Sequence, residues 1–274
     1  MTMTRGVASR LLLVEGSPVL VRAWHPDRGR VTVRAEPVDP AAVTVPAPAA
    51  IELRPAGDTQ LARAAERIRF ALGIDDDLGE FFLRFRRDPL LGPLIRRRPD
   101  RRPLRRPWAW EALAWAVVEQ LIESGRAARI ERRIVGRWGA RLAGARDVLR
   151  DVPPAELIGG RAPAELEQLG LSPKRSVALA AVGRIVAAGR VAPEDPAGDR
   201  RLLAVPEIGP WTVQCLGLYG RGEPDSLPAG DLMYIKQVGR LARLGRRATV
   251  EEVEEFYAPF EPFRGLAASW TMLL

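Results

Sequence analysis

The run Leu202-Leu203-Ala204-Val205-Pro206-Glu207-Ile208-Gly209-Pro210-Trp211-Thr212-Val213-Gln214-Cys215-Leu216 puts a short turn directly before a proline suited to the first turn of a helix. Two helices meeting at such a turn leave unpaired N–H groups at the start of the second. These point outward with the positive end of the helix dipole, and a phosphate can sit there without any charged side chain. The turn Pro206–Gly209 needs at least one residue able to take a positive φ. A plain connection between two core helices explains the same residues. Further on, the loop Gly220–Asp231 delivers an acid to the start of a helix read over 232–244. Asp231 there can simply cap that helix, aspartate being a preferred N-cap. It can also stand close to the anion-binding turn, support developing positive charge on a sugar and orient a water. Spacing alone leaves both readings open.

The composition removes other chemistries. With one cysteine, Cys215, the chain has no internal disulfide, no four-cysteine iron–sulfur site and no CxxC zinc knuckle. With one histidine, His25, it has no histidine-rich metal site, and no nucleophile signature accompanies that histidine for a Ser-His-Asp triad. Lys+Arg 42 against Asp+Glu 34 gives a net charge of +8, which favours a polyanionic partner, nucleic acid first. Nearly all of that charge is arginine, since Lys174 and Lys236 are the only lysines. No apolar run reaches the roughly 20 residues of a membrane helix. The opening Arg10-Leu11-Leu12-Leu13-Val14 is cut short by Glu15 and does not read as a signal peptide, so the expectation is a soluble, cytoplasmic chain.

The elements that must position these residues follow from periodicity. Val19–Trp24 and Val31–Ala35 alternate apolar and polar residues around the turn-like His25-Pro26-Asp27-Arg28-Gly29, which predicts a β-hairpin. A further strand is read at Ala50–Arg54, after a Pro/Ala-rich connector from Pro37 to Pro48. From Leu61 the apolar period becomes helical and stops at Gly73, with a shorter helix over 78–85. Ile95–Pro107, broken by prolines and loaded with arginine, reads as a basic loop, either a solvated linker or a phosphate contact. Trp108–Ile122 is apolar nearly all round, as in a buried central helix. Helices follow over 127–138, from Pro153-Pro154, over 163–169, from Ser172-Pro173 to about Ala188, over 251–256 and over 266–274. The fold class is α+β: a small β-containing unit over 1–58, then an all-helical body over 59–274.

The segment Leu203–Thr212, followed by Leu227-Pro228-Ala229-Gly230-Asp231, resembles the helix–hairpin–helix of the DNA glycosylase superfamily and its catalytic-aspartate loop. Trp211, at the aromatic position after the hairpin, is similar to the alkylbase branch, DNA-3-methyladenine glycosylase II. So are Phe85–Leu94, Glu119-Gln120-Leu121, Gly170–Arg175 and Pro262–Leu266. The resemblance spans roughly residues 60 to 274. It implies a hairpin at about 199–219, with Ile208, Gly209, Trp211 and Thr212 at the DNA phosphates and the active-site cleft between two helical subdomains. Asp231 is then the catalytic carboxylate, and Gln120 and Leu121 stand where the family places its intercalating wedge. From burial statistics alone, Leu121 reads equally as a helix end packed in the core. Trp211, Trp115 and Tyr219 are implied as the base pocket, where electron-rich rings attract a cationic alkylated purine.

The implied activity is hydrolysis of the N-glycosidic bond of a flipped, alkylated purine in duplex DNA by a monomer needing no cofactor and no obligatory protein partner. Where bifunctional members carry a Schiff-base lysine, this chain has Trp211, which implies base removal without strand cleavage. The hairpin departs from the family in having Glu207 at the first glycine position, so a non-glycine residue is expected at positive φ near a phosphate. No side chain offers a metal site, although the hairpin backbone is compatible with a monovalent cation. The alternatives are a non-catalytic hairpin protein binding DNA through Arg96–Arg106 and the amides around Gly209, or a glycosylase for oxidised or deaminated bases.

Overall fold

The computed structural model describes residues 2–4, 6–25, 31–46, 52–143 and 148–274. Strands β1 (Thr2–Thr4), β2 (Val7–Val14), β3 (Ser17–Trp24) and β4 (Thr32–Pro37) form an antiparallel meander in that order. The expected hairpin is β3–β4, pairing Val19 with Pro37 and Trp24 with Thr32; its turn, 26–30, lies outside the described residues. β2 escapes a search for alternation because both its faces are covered. Ala8, Leu12 and Val14 join Ala64 and Ile68 of helix α1 (Asp58–Ala71), while Leu11 packs with Val38, Val43 and Ala140. The strand expected at 50–54 does not form over 52–54, and residues 50 and 51 lie outside the described residues. There the chain makes one bond to the β2–β3 turn, Arg54 N–H to Gly16 O at 3.2 Å, instead of a ladder.

A second sheet was not legible in sequence. β5 (Val43–Thr44) pairs with β6 (Arg141–Ala143), which pairs with β7 (Val148–Arg150), so the N-terminal segment is stitched to the middle of the chain. Strands of two or three residues carry no periodic signal, and only the tertiary pairing makes them.

The helices follow the predicted order: α2 (Gly79–Phe85), α3 (Leu91–Arg97), α4 (Ala109–Glu119), α5 (Ser124–Trp138), α6 (Ala155–Gly159), α7 (Pro163–Gln168), α8 (Pro173–Ala187), α9 (Asp199–Leu203), α10 (Pro210–Cys215), α11 (Leu232–Leu241), α12 (Val250–Tyr257) and α13 (Arg264–Thr271). α10 runs on into a π-helical turn, Leu216–Arg221. Two readings need correction. The basic segment is not a loop from Ile95, because α3 continues through Arg97, its basic last turn complementing the helix dipole. Nor are its arginines all free for phosphate: Arg105 pairs with both Asp76 oxygens, Arg101 donates to Ser269 O, and Arg106 reaches Glu119. Ser172 stands at the start of α8 as expected, but its hydroxyl accepts from Arg175 Nε at 3.0 Å instead of capping the backbone.

The helical body has two separate apolar cores. One gathers Leu113, Trp115, Val117, Ile130, Ile134, Leu179 and Val182 around α4, α5 and α8. The other gathers Phe81, Phe85, Tyr234, Tyr257 and Trp270 around α2 and α11–α13. α4 and the π-turn press together: a Cβ at Gly220 would stand 2.9 Å from Ala112 Cβ, so glycine lets the turn approach the helix and brings Tyr219 to the seam between the cores.

Candidate active site

A cavity of about 480 Å³ opens at that seam, and its wall includes Trp115 and Glu119 of α4, Cys215 and Tyr219 of the α10 helix and its π-turn, and Asp231. Asp231 is the N-cap of α11, accepting from Met233 N–H at 2.7 Å, so the capping reading holds; the same carboxyl also faces the cavity. Burial raises its pKa above the ordinary aspartate value, against the Met233 N–H and the Trp211 indole, which pull it down. The cap holds a half-buried carboxyl in place at the cavity wall.

The aromatic residues do not all stand alike. Trp115 is 4% exposed and donates its indole N–H to Glu111 Oε1 at 3.4 Å. The Tyr219 hydroxyl lies 3.4 Å from that of Tyr234, and burial holds the Tyr219 phenol protonated far above neutrality. Trp211 stands beside the Asp231 loop, with Gly230 against its side chain, but is not among the residues lining the cavity. Its buried indole N–H makes no hydrogen bond of ordinary geometry. Burial pushes the Cys215 thiol up, so it contributes apolar wall rather than a nucleophile.

Gln120 and Leu121 follow Glu119, the cavity-lining last residue of α4. Gln120 Nε2 donates to Glu207 O at 2.9 Å and Thr212 Oγ1 at 3.0 Å, locking the end of α4 to the hairpin. Leu121 is fully exposed and holds φ at 53°. The core-packing reading of Leu121 is therefore wrong: a large apolar side chain stands in solvent on a strained backbone, an arrangement retained where the surroundings over-determine it. Leu121→Ala is expected to leave the melting temperature within about 1 °C, since no packing is lost, and to lower base release from duplex DNA about tenfold or more, because stacking lost on flipping goes unreplaced. Thermal melts and single-turnover excision check both.

In the hairpin, Ile208 is buried and Gly209 caps α10 at φ −106°, so the positive φ falls on Glu207, at 68°. Thr212 and Val213 N–H close on Gly209 O, whereas the N–H groups of Gly209 and Trp211 have no partner among the described residues. Among the described residues the Glu207 N–H likewise has no partner, and the Gly209 and Trp211 amides are those at the start of α10. The Glu207 carboxylate is drawn aside, its Oε1 standing 3.3 Å from Lys174 Nζ. Glu207→Gly is expected to raise affinity for undamaged duplex DNA several-fold and to stabilise the fold by about 0.5–1 kcal/mol, by removing a like charge and relieving the left-handed strain. Binding isotherms at low salt and urea melts test it.

Glu119, Cys215, Arg10, Arg105 and Arg106 also line the cavity, where the sequence reading placed none of them. Only Glu119, adjacent to the wedge pair, had a signal that could have found it; Arg10 arrives from β2 by tertiary folding alone.

No protein-family model matches the chain. Over 200 residues it is 25% identical to the DNA-3-methyladenine glycosylase of Bacillus subtilis, covering 71% of this chain and 66% of that protein. A stretch of 77 residues is 38% identical to a probable bifunctional transcriptional activator/DNA repair enzyme AlkA of Mycobacterium tuberculosis, of which it spans 14%. In structure, the 3-methyladenine DNA glycosylase of Archaeoglobus fulgidus superposes with a TM-score of 0.78 over 98% of this chain and 87% of that one, at 20% identity. The chain thus shares the fold of a 3-methyladenine DNA glycosylase. The glycosylase fold also extends to the 8-oxoguanine glycosylase/lyase of Clostridium acetobutylicum, with a TM-score of 0.69 over 96% of this chain and 87% of that one, at 14% identity. This chain carries its β-containing N-terminal region ahead of the helical body. No helix among its described residues is long and apolar enough to cross a membrane.

Proposed function

We propose that this protein is a monofunctional DNA glycosylase that flips alkylated purines of the 3-methyladenine type out of duplex DNA and hydrolyses their N-glycosidic bond. The observation that carries the reading is a single seam holding, within one cavity, the Asp231 carboxylate and the rings of Trp115 and Tyr219, with the fully exposed Leu121 two residues beyond the cavity-lining Glu119.

In this reading the free amides of Gly209 and Trp211 anchor a phosphate, Leu121 enters the stack, and the extruded base occupies the aromatic cavity. As the C1′–N bond breaks, its electron pair leaves with the base and the sugar acquires oxocarbenium character that the Asp231 carboxylate stabilises. Water then adds at C1′, its proton passing to Asp231 and on to solvent. An already cationic 3-methyladenine leaves as a neutral base, so this chemistry needs no acid and no cofactor.

The absence of strand cleavage rests on the lysines. Lys174 is exposed and engaged with Glu207, Lys236 lies on the exposed face of α11, and neither lines the cavity, so no amine is placed to form a Schiff base. Residues 1–58 act as a small β-containing unit joined to this body through β5–β6 and the Arg10 ion pairs, and the working form is a cytoplasmic monomer.

The test is incubation with methylated duplex DNA, scoring free bases and abasic sites. Release of 3-methyladenine with strand breaks appearing only after alkali supports the proposal. Breaks without alkali overturn its monofunctional part, and absence of base release overturns it altogether.

A further inference from the structure

A second cavity, larger than the one that holds Asp231, opens where the β-containing unit meets the helical body. It encloses about 710 Å³, room for a small organic molecule. Its wall includes Leu13 and Val14 of β2, Trp108 and Trp110 at the start of α4, Val152 and Leu157. Trp108 packs with the sheet core and Trp110 with the core around α4, so the cavity is the gap that those two cores leave between them.

Most polar groups in that wall are already spent. Asp151 accepts from Leu13 N–H and Val152 N–H and stands 3.5 Å from Arg10. Arg63 pairs with Glu15, and the guanidiniums of Arg63 and Arg67 lie over the Trp108 ring at 6.0 and 5.3 Å. Arg161 donates Nε to Leu157 O at 3.2 Å, stands 3.5 Å from Glu165 and lies over the Trp138 ring. The Trp110 indole N–H goes to Pro153 O at 3.0 Å. Two carboxylates remain. Glu156 of α6 and Glu194 of the link between α8 and α9 line the cavity, are exposed, and have no ion-pair partner among the described residues; nor does any arginine there stand over the Trp110 ring. On a chain of net charge +8, two unneutralised carboxylates beside an open indole face disfavour phosphate and favour a cation with an apolar body.

We propose that this cavity is a binding site for flat organic cations, the class to which N-alkylated heterocycles and their free nucleosides belong. The ligand's ring lies against Trp110, whose electron-rich face attracts a positively charged heterocycle, and its charge faces Glu156 and Glu194 at the opening. Both carboxylates stay in contact with water, so pairing them with the ligand costs little desolvation. Affinity needs both parts, because charge alone leaves the apolar wall wet and a neutral ring leaves the carboxylates without a counter-ion. The inference goes beyond the glycosylase reading and stands without it, since no residue of this wall lines the catalytic seam.

The experiment titrates the DNA-free protein at pH 7 with 1-methyladenosine, which carries a positive charge, and with adenosine, which differs by the methyl group and is uncharged. Binding is followed through the indole N–H resonances: Trp108 and Trp110 report this cavity, and Trp115 and Trp211 report the catalytic seam. The Trp110 signal is expected to respond to 1-methyladenosine with an affinity at least about tenfold above that for adenosine. Changing Glu156→Gln and Glu194→Gln together is expected to remove that preference while the melting temperature stays within about 1 °C, since both side chains are exposed. Tetramethylammonium, which has the charge but no ring, is expected to bind at least about tenfold more weakly than 1-methyladenosine.

Equal response of Trp110 to the two nucleosides, a preference that survives loss of both carboxylates, or tetramethylammonium binding as tightly as 1-methyladenosine overturns the inference. Shifts confined to Trp115 and Trp211 overturn it too, because the ligand is then in the catalytic seam, as does the absence of any response. Base release from methylated duplex DNA is expected to be unchanged in the double variant, so this inference and the proposed function stand or fall separately.

Discussion

Asp231→Asn is expected to lower 3-methyladenine release by at least about a hundredfold while the melting temperature stays within about 1 °C of wild type. The two expectations come from the two duties of one side chain. As the N-cap of α11 its Oδ1 accepts from Met233 N–H, and an asparagine oxygen does this as well. As a cavity wall it brings, in the proposed mechanism, negative charge to the place where the sugar becomes positive, and an amide brings none. Loss of activity at unchanged stability separates the roles, with duplex binding retained as the control. A variant that keeps its activity would reduce Asp231 to a cap. The acid side of the wild-type profile carries the same information. Burial raises the Asp231 pKa, so activity on every substrate should fade as the pH drops through a value above that of an ordinary aspartate.

Replacing Arg10 by methionine is expected to destabilise the protein by about 3–5 kcal/mol at pH 7. Arg10 of β2 is buried between Glu111 Oε2 at 2.6 Å and Asp151 Oδ1 at 3.5 Å, and both carboxylates are themselves buried. Asp151 also accepts from Leu13 N–H and Val152 N–H, so the cluster holds the four-stranded sheet against α4 and the β7 connection. Methionine keeps the apolar length of the arginine stem and abandons two carboxylates in a low-dielectric interior. The deficit should shrink on acidification. Burial lifts the Asp151 pKa from 3.8 to about 6 in the folded protein, so folding favours its protonated form. That contribution is complete below pH 4 and disappears as the pH rises through 6, and without Arg10 the charge is costlier still. Urea melts at pH 5 and 7 measure it, and a variant as stable as wild type at pH 7 would refute it. Because Glu111 also receives the Trp115 indole N–H, the variant should disturb the cavity wall as well, visible in tryptophan fluorescence.

What could be read before folding was local. Pro210 starting a helix, Asp231 capping one, Ser172-Pro173 opening another and the apolar circumference of α4 are consequences of neighbouring residues, and each stands where it was expected. The hairpin and the aspartate loop could be matched to a family for the same reason: a tight turn and a cap impose residue types at fixed separations. The α3 boundary was misplaced because charge and proline were weighed over a run that buries Leu91, Leu94 and Ile95 on one face. β2 was overlooked because burial on both faces erases alternation, and β5–β7 because strands of two or three residues carry no period and β5 finds its partner β6 about a hundred residues along the chain.

The site itself was legible as a set of names but not as an arrangement. Nothing local places Glu119 between Arg106 and Glu131, brings Arg10 from the sheet to Glu111, leaves Trp211 out of the cavity wall or turns Leu121 into solvent at positive φ. Those outcomes depend on which surfaces close over a carboxyl and which charges then face it across an interior that screens poorly. The chain determined its turns, caps and helix faces residue by residue; the meeting of two cores decided which of those residues share one cavity and in which state of protonation.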